Sequence, residues 1–254
     1  MTASSRAHSF NLAAAQYDAN RPTYPAALFA GIEEFLNRPL AGVCVADVGA
    51  GTGIASALLC QRGADLIAVE PGEAMAAEFR RALPDVPIVR GDGNSLPLAD
   101  SSRELITYAQ SWQWTDTARS VPEALRVLRS GGALAIWWNT TAFDVPWIRA
   151  QHERIAHHCG VPARSAVRPD DGEAVRLAGL TGLRVRRSHI RWQRTVPLDT
   201  HLANLGSRSA FLVLEPAANR AFLAAERKRL RAIFPDELVD ETYVVDLLIA
   251  ASPA

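Results

Sequence analysis

The stretch Val43–Glu70, VCVADVGAGTGIASALLCQRGADLIAVE, constrains this chain more than any other. A mostly apolar run, Val43–Val48, is interrupted by Asp47 and leads into Gly49-Ala50-Gly51-Thr52-Gly53. A helical stretch begins at about Ile54, and a second apolar run, Leu66–Val69, ends in Glu70. The order is strand, tight turn, helix, strand, acid: one βαβ unit. Glycines at alternate positions allow positive φ and let a ligand approach where a Cβ would otherwise stand. The helix that follows presents free N–H groups and a positive dipole end, which favour a carboxylate or a phosphate. Glu70, at the end of the second strand, can accept hydrogen bonds from both hydroxyls of a ribose. The unit therefore reads as a nucleoside site.

The spacing of the glycines separates two cofactor classes. The dinucleotide fingerprint is G-x-G-x-x-G followed by an acid about 20 residues on; here Ile54 stands where its third glycine belongs. The form D-x-G-x-G-x-G, with Asp47 two residues before the first glycine, resembles the class I S-adenosylmethionine (SAM)-dependent methyltransferases. The resemblance runs over residues 10–140. It is carried further by Y-D-x-x-R-P-x-Y-P at 17–25, by G-D-G-N-S-L-P at 91–97, and by A-L-R-V-L-R-S-G-G at 124–132. The pairing of Gln110-Ser111-Trp112-Gln113-Trp114 with Trp137-Trp138-Asn139 is most similar to the trans-aconitate methyltransferase-like branch, a broad set of small-molecule methyltransferases. Two departures stand out. Gly93-Asn94 replaces the usual Ala-Glu of the adenine-reading loop, and Ser130 replaces a proline before Gly131-Gly132.

The resemblance implies an α/β, Rossmann-like, doubly wound seven-stranded sheet, mostly parallel with an antiparallel last strand, plus a helical substrate cap. It implies SAM as cofactor and S-adenosylhomocysteine as product. The cofactor set expected is Tyr17, Arg21, Gly49, Ala50, Gly51, Gly53, Glu70, Pro71, Met75, Asp92, Gly93, Asn94 and Gln110. In it, Arg21 pairs with the methionyl carboxylate, Tyr17 and Tyr24 wall the site, Asp92 reads the adenine amine, and Gln110 touches the methionine part. The rivals are an NAD-dependent oxidoreductase, disfavoured by Ile54 and the loop at Asp92, and a SAM-fold protein that binds SAM without methylating, which turnover to S-adenosylhomocysteine would distinguish.

Composition narrows the partners. With 27 basic and 27 acidic residues the formal net charge is zero, which argues against duplex DNA or an anionic membrane as partner. Three cysteines, with no C-x-x-C, make neither a disulfide framework nor a zinc site. In His157-His158-Cys159 the two histidines diverge by about 100° on a helix, so no metal is expected. The first residues lack an apolar signal region and no stretch of about 18 apolar residues occurs, so the chain is expected to be soluble and cytoplasmic.

The 254 residues suit one methyltransferase domain: N-terminal cover helices over 1–40, a SAM-binding core over 41–140, and a helical cap inserted at 195–235. Helices are expected over 4–19, 24–37, 147–158, 198–207 and 215–234, and strands over 183–194 and 242–250. Five arginines on 183–194 suit an edge strand, where charge blocks edge-to-edge pairing. Substrate contacts are expected from Tyr24, Trp112, Trp114, Trp138, Asn139 and His201, with indoles able to stack on an aromatic or cationic acceptor. Candidates for a general base are His201, Tyr24 and His152. The activity implied is methyl transfer by in-line displacement to a small organic acceptor, aromatic or natural-product-like.

Overall fold

Strand alternation fixes the architecture. In the computed structural model, which describes residues 21–161, 171–207, 211 and 214–251, alternate residues of each central strand face opposite helical layers, the period-two rule of a pleated sheet. Val45, Leu105, Ala133, Ala135 and Trp137 pack with Leu28, Phe29 and Ile32 of helix α1 (Ala26–Leu36) and Leu59 of α2 (Ile54–Gln61). Ala46, Val48, Ile106, Tyr108, Leu134 and Ile136 pack with Ala124 and Val127 of α4 (Thr117–Val127) on the other face. Both faces are covered, as parallel sheets require.

The strands are β1 (Cys44–Val48), β2 (Asp65–Glu70), β3 (Ile88–Arg90), β4 (Arg103–Ala109), β5 (Leu128–Thr141), β6 (Arg184–Pro197) and β7 (Leu238–Ala251). Their spatial order is β3-β2-β1-β4-β5-β7-β6. Neighbours from β3 to β5 pair in parallel, while β7 pairs antiparallel with both β5 and β6. The sheet is thus the expected one, with the last strand in sequence reversed. The chain leaves β1 toward β2 and returns to β4, so the switch point lies between β1 and β4, where open α/β sheets bind ligands. Helix α3 (Glu73–Ala82) links β2 to β3, and α5 (Pro146–His158) and α6 (Asp171–Leu177) follow β5.

Between β6 and β7 stand α7 (Leu198–Gly206) and α8 (Pro216–Ile233). Leu198, Leu202, Leu230 and Val239 form an apolar cluster there, with Trp147 and Phe234 against it. The arginines of β6 lie on the sheet edge and are engaged one by one: Arg184 over the Phe35 ring, Arg186 with Glu34, Arg187 with Asp246, Arg191 with Asp144 and Arg194 with Glu241. One local expectation changes. Arg129–Gly132 is not a turn before β5 but an irregular stretch within it, with Gly131 at φ +77° and a register shift against β4 between Arg103 and Leu105. The helix expected over 4–19, with Tyr17, lies outside the described residues. Among the described residues no helix is long and apolar enough to cross a membrane.

Candidate functional site

The glycine turn is shaped by its neighbours. Gly49 has φ +69°, and a Cβ there would stand 2.5 Å from the Cβ of Ser111, just past the end of β4. The Ser111 hydroxyl donates to the Val48 carbonyl at 2.6 Å, which holds the β4 exit against the turn. The Gly49 and Ala50 N–H groups both donate to the Val69 carbonyl, at 2.8 and 3.2 Å. Gly53, at φ +99°, begins α2 where a Cβ would press on Leu83 and Phe79. Gly51 differs: its φ is +60°, yet a Cβ would meet nothing within 4 Å. That position faces open space, as a turn built to be approached by a ligand should.

Glu70 closes the turn. It is 6% exposed, and its two carboxylate oxygens accept the Gly51 N–H at 2.8 Å and the Gly72 N–H at 2.7 Å. Burial raises its pKa above the usual carboxylate value, against the pull of these N–H groups and of Arg90. With one acceptor site used on each oxygen, the carboxylate retains capacity for two hydroxyl donors. Asp47 is buried deeper still and touches no solvent. Its oxygens accept the hydroxyls of Ser56 at 2.6 Å and Thr107 at 2.8 Å, which ties β1 to α2 and β4, and burial raises its pKa. Pro71 accepts from Arg90, and Met75 is buried on α3.

At the loop after β3, the Asp92 carboxylate accepts the Asn94 N–H at 2.7 Å, and the Asn94 side-chain oxygen accepts the Asp116 N–H at 2.7 Å. The Asn94 side chain therefore fastens the loop to the start of α4. Gly93 explains the departure from alanine: a Cβ there would lie 2.9 Å from both Tyr108 and Thr115. The Tyr108 hydroxyl donates to the Gly93 carbonyl at 3.3 Å, and burial raises the pKa of that phenol. Gln110 takes φ +59°, a conformation uncommon outside glycine.

A second feature lies on the same sheet edge. A cavity of about 40 Å³ is lined by Thr141 at the end of β5, Trp147, Ile148, Gln151, His152 and Ile155 of α5, His201 of α7, and Glu241, Thr242 and Tyr243 of β7. Thr141 and Tyr243 are register partners, so the start of β7 sits beside the carboxyl end of β5. A buried polar chain forms its floor. His201 Nδ1 faces Glu241 Oε1 at 2.6 Å and His201 Nε2 faces Gln151 Oε1 at 3.2 Å. The Gln151 amide is oriented by its Nε2–H, which donates to Glu226 Oε2 at 3.2 Å. Glu226 has no exposed surface and is gripped by Arg154 through both oxygens, at 2.6 and 2.8 Å. Arg194 and the Tyr243 hydroxyl donate to Glu241 Oε2, at 2.6 and 2.8 Å.

Several residues of the expected site make contacts within the protein. Both His201 ring nitrogens are already engaged, one by Glu241 and one by Gln151, so neither is turned toward a substrate. Tyr24 packs edge-on against Trp137, 5.7 Å between centroids, within the core under α1. Trp112 is 3% exposed; its indole N–H donates to the Ala178 carbonyl at 3.1 Å and its ring meets Tyr108 edge-on. Trp138 donates to the Gln113 side chain at 2.8 Å, and neither it nor Trp114 lines the cavity. Asn139 donates to the Thr23 carbonyl and accepts the Trp192 indole N–H, joining the N-terminal segment to β5 and β6. Arg21 donates to the Ser207 carbonyl at 3.3 Å, and its own carbonyl accepts from Arg194. His152 packs edge-on with Phe143 and lines the cavity. The residues missed are Ser111, Trp147, Gln151, Glu226 and Glu241. Ser111 sits inside a noticed string; the others show no local pattern, because their partners lie tens of residues away.

The glycine turn at the switch point, the acid ending β2 and the reversed last strand define a class I methyltransferase fold. The methyltransferase domain family matches residues 46–136. An uncharacterized methyltransferase of Mycobacterium tuberculosis is 33% identical over 227 residues, 89% of this chain and 87% of its own length. A methyltransferase-like protein of Schizosaccharomyces pombe is 33% identical over 55% of this chain and 54% of its own length. Among solved structures, a type II methyltransferase candidate from Anaeromyxobacter dehalogenans aligns with TM-score 0.68 at 24% identity, over 93% of this chain and all of its own. A SAM-dependent methyltransferase from Geobacter sulfurreducens, solved with S-adenosylhomocysteine, aligns with TM-score 0.56 at 17% identity, over 97% and 98%. The chain belongs to the family of SAM-dependent methyltransferases.

Proposed function

We propose that the enzyme transfers the methyl group to a small organic acceptor held in the cavity beneath α7. The observation that carries this reading is the placement of two unlike features on one sheet edge: an open glycine cradle and a cavity lined by aromatic, aliphatic and polar side chains. Its lining sets Trp147, Ile148 and Ile155 beside Gln151, His201 and Glu241, and converging polar groups on an apolar wall suit a small molecule. The zero net charge also gives nucleic acid little electrostatic purchase.

In this reading Gly49–Gly53 and Glu70 hold the nucleoside, with Glu70 accepting the ribose hydroxyls. Asp92 faces the adenine, and Met75 packs nearby. Gln110 stands at the strained exit of β4, where an unfavourable φ is tolerated for function. SAM supplies a methyl group made electrophilic by its sulfonium. The protein's share is to hold the acceptor in line and exclude water, since proximity accounts for most of such a rate. His152 keeps the role of base for acceptors that must lose a proton.

The test is methyl-labelled SAM incubated with the enzyme and a cell extract. Label is expected in the low-mass soluble fraction. Label in precipitated nucleic acid or protein would overturn the reading.

A further inference from the structure

Resting on that reading of the cavity as the acceptor site, the donor and acceptor inventory of its floor narrows the acceptor's chemistry. Glu241 is 2% exposed yet lines the cavity. Its Oε2 takes two donors, from Arg194 and the Tyr243 hydroxyl, while Oε1 takes one, from His201. A carboxylate has about four acceptor positions, so Oε1 keeps one. The two groups beside it are committed elsewhere: both His201 nitrogens to Glu241 and Gln151, and the Gln151 amide N–H to Glu226.

The charges narrow the choice further. A ligand anion would face the Glu241 carboxylate in a site of low dielectric, where like charges are costly. A ligand cation would add to the positive charge that Arg194 already brings to this carboxylate. A neutral O–H or N–H donor meets neither objection. Flat walls favour a ring: Trp147 lies edge-on to His201 at 5.8 Å, and Tyr243 stacks on Trp192 at 5.2 Å between centroids. The Glu241 pKa is lowered: burial pushes it up, and the His201 hydrogen bond with the charges of His201 and Arg194 outweighs that push, so the group stays an acceptor near neutral pH.

We infer that the cavity takes a neutral ring-bearing acceptor with a hydroxyl or N–H group, a phenol or an aryl amine, oriented by a hydrogen bond to Glu241 Oε1. Glu241 is a substrate-orienting residue in this assignment, distinct from the cofactor acids Glu70 and Asp92.

The experiment is calorimetric titration of the full chain, saturated with S-adenosylhomocysteine, using three probes of similar shape: p-cresol, toluene and 4-methylbenzoate. p-Cresol is expected to bind roughly ten- to a hundredfold more tightly than either of the others, the range of a hydrogen bond to a charged group. Glu241→Gln should erase most of that preference while leaving S-adenosylhomocysteine affinity unchanged, which also reports that the variant is folded. Trp147→Ala should weaken p-cresol and toluene alike and not the cofactor product. Toluene or 4-methylbenzoate binding as tightly as p-cresol overturns the inference, as does a preference that survives Glu241→Gln. If S-adenosylhomocysteine itself fails to bind, the functional reading falls first, so the two failures are told apart.

Discussion

At the cofactor end, the atoms offered to a ligand come from neighbours in sequence: the N–H groups and open Cβ position of Gly49–Gly53 and the Glu70 carboxylate that closes over them. Around the cavity the polar groups come from Gln151, His201 and Glu241, on α5, α7 and β7, backed by Glu226 on α8. The first site is backbone shaped by glycine, with one buried acid whose pKa is raised. The second is a chain of ion pairs and amides whose acids, Glu226 and Glu241, have lowered pKa values because basic partners outweigh the burial that pushes them up. One sheet edge thus carries a site that is local and conformational beside one that is long-range and electrostatic.

The contrast is open to disruption from either side. The largest effect is expected from Glu226→Ala, which leaves Arg154 and Gln151 facing a buried void. Breaking a buried pair in this way costs about 3–5 kcal/mol. Hydrogen exchange should quicken in α7 and α8 while SAM affinity holds; unchanged protection there would mean the ion pairs do not hold the cap.

Gly49→Ala and Gly51→Ala form the next pair. Both positions have positive φ, which costs an alanine roughly 1–2 kcal/mol. Only at 49 does the new methyl also collide with Ser111, adding about 1–3 kcal/mol of overpacking. Thermal melts should show the larger loss for Gly49→Ala. Calorimetry should show Gly51→Ala folded but weak in SAM binding, because its methyl stands in the cradle. Equal melting losses would show that the Ser111 contact is relieved.

Glu70→Gln is expected to lower SAM affinity about ten- to a hundredfold through loss of a charged acceptor. Trp112→Phe should cost about 1–3 kcal/mol of stability by orphaning the Ala178 carbonyl, with SAM affinity intact. An effect on turnover out of proportion to the stability loss would return Trp112 to the acceptor site.

The smallest effect is read by pH, and the signs differ between the two ends. Glu70 has a folded pKa above its unfolded one, so it takes up a proton as pH falls into the range just above an ordinary glutamate, and the ribose acceptor weakens there. Glu241 has a folded pKa below its unfolded one. Its stabilising share is present above the unfolded value and lost only as pH falls through the lower folded value. On acidification from pH 7, SAM binding followed by calorimetry should weaken before Trp147 fluorescence reports loosening of the cap. The reverse order would break the comparison.

Legibility followed the same division. The βαβ unit, the helices α1, α5, α7 and α8, and the strands β6 and β7 were readable because periodicity and turn residues are local. So were Gly49–Gly53 and Glu70, since a motif of fixed spacing is itself the geometry. The surroundings of the tryptophans were not readable in the same way. Q-S-W-Q-W and W-W-N mark strand ends, where an indole can face a ligand or the core with equal ease in sequence. Tyr108 and the Ala178 carbonyl took Trp112 inward, Gln113 engaged Trp138, and Trp192 and Thr23 engaged the Asn139 amide.

By itself the sequence determined a doubly wound sheet with a glycine turn closed by an acid at its switch point, because hydrophobic period, glycine freedom and a strand-end acid act within one βαβ unit. The tertiary structure decided which polar groups face the cavity. His201 was visible as a histidine on a cap helix, but whether it is a base depends on what meets its two nitrogens. Glu241 and Gln151 reach them only once β7 has folded back between β5 and β6 and α5 has packed beneath the cap. Burial and hydrogen-bond pairing are properties of that assembled neighbourhood, and no window of sequence contains them.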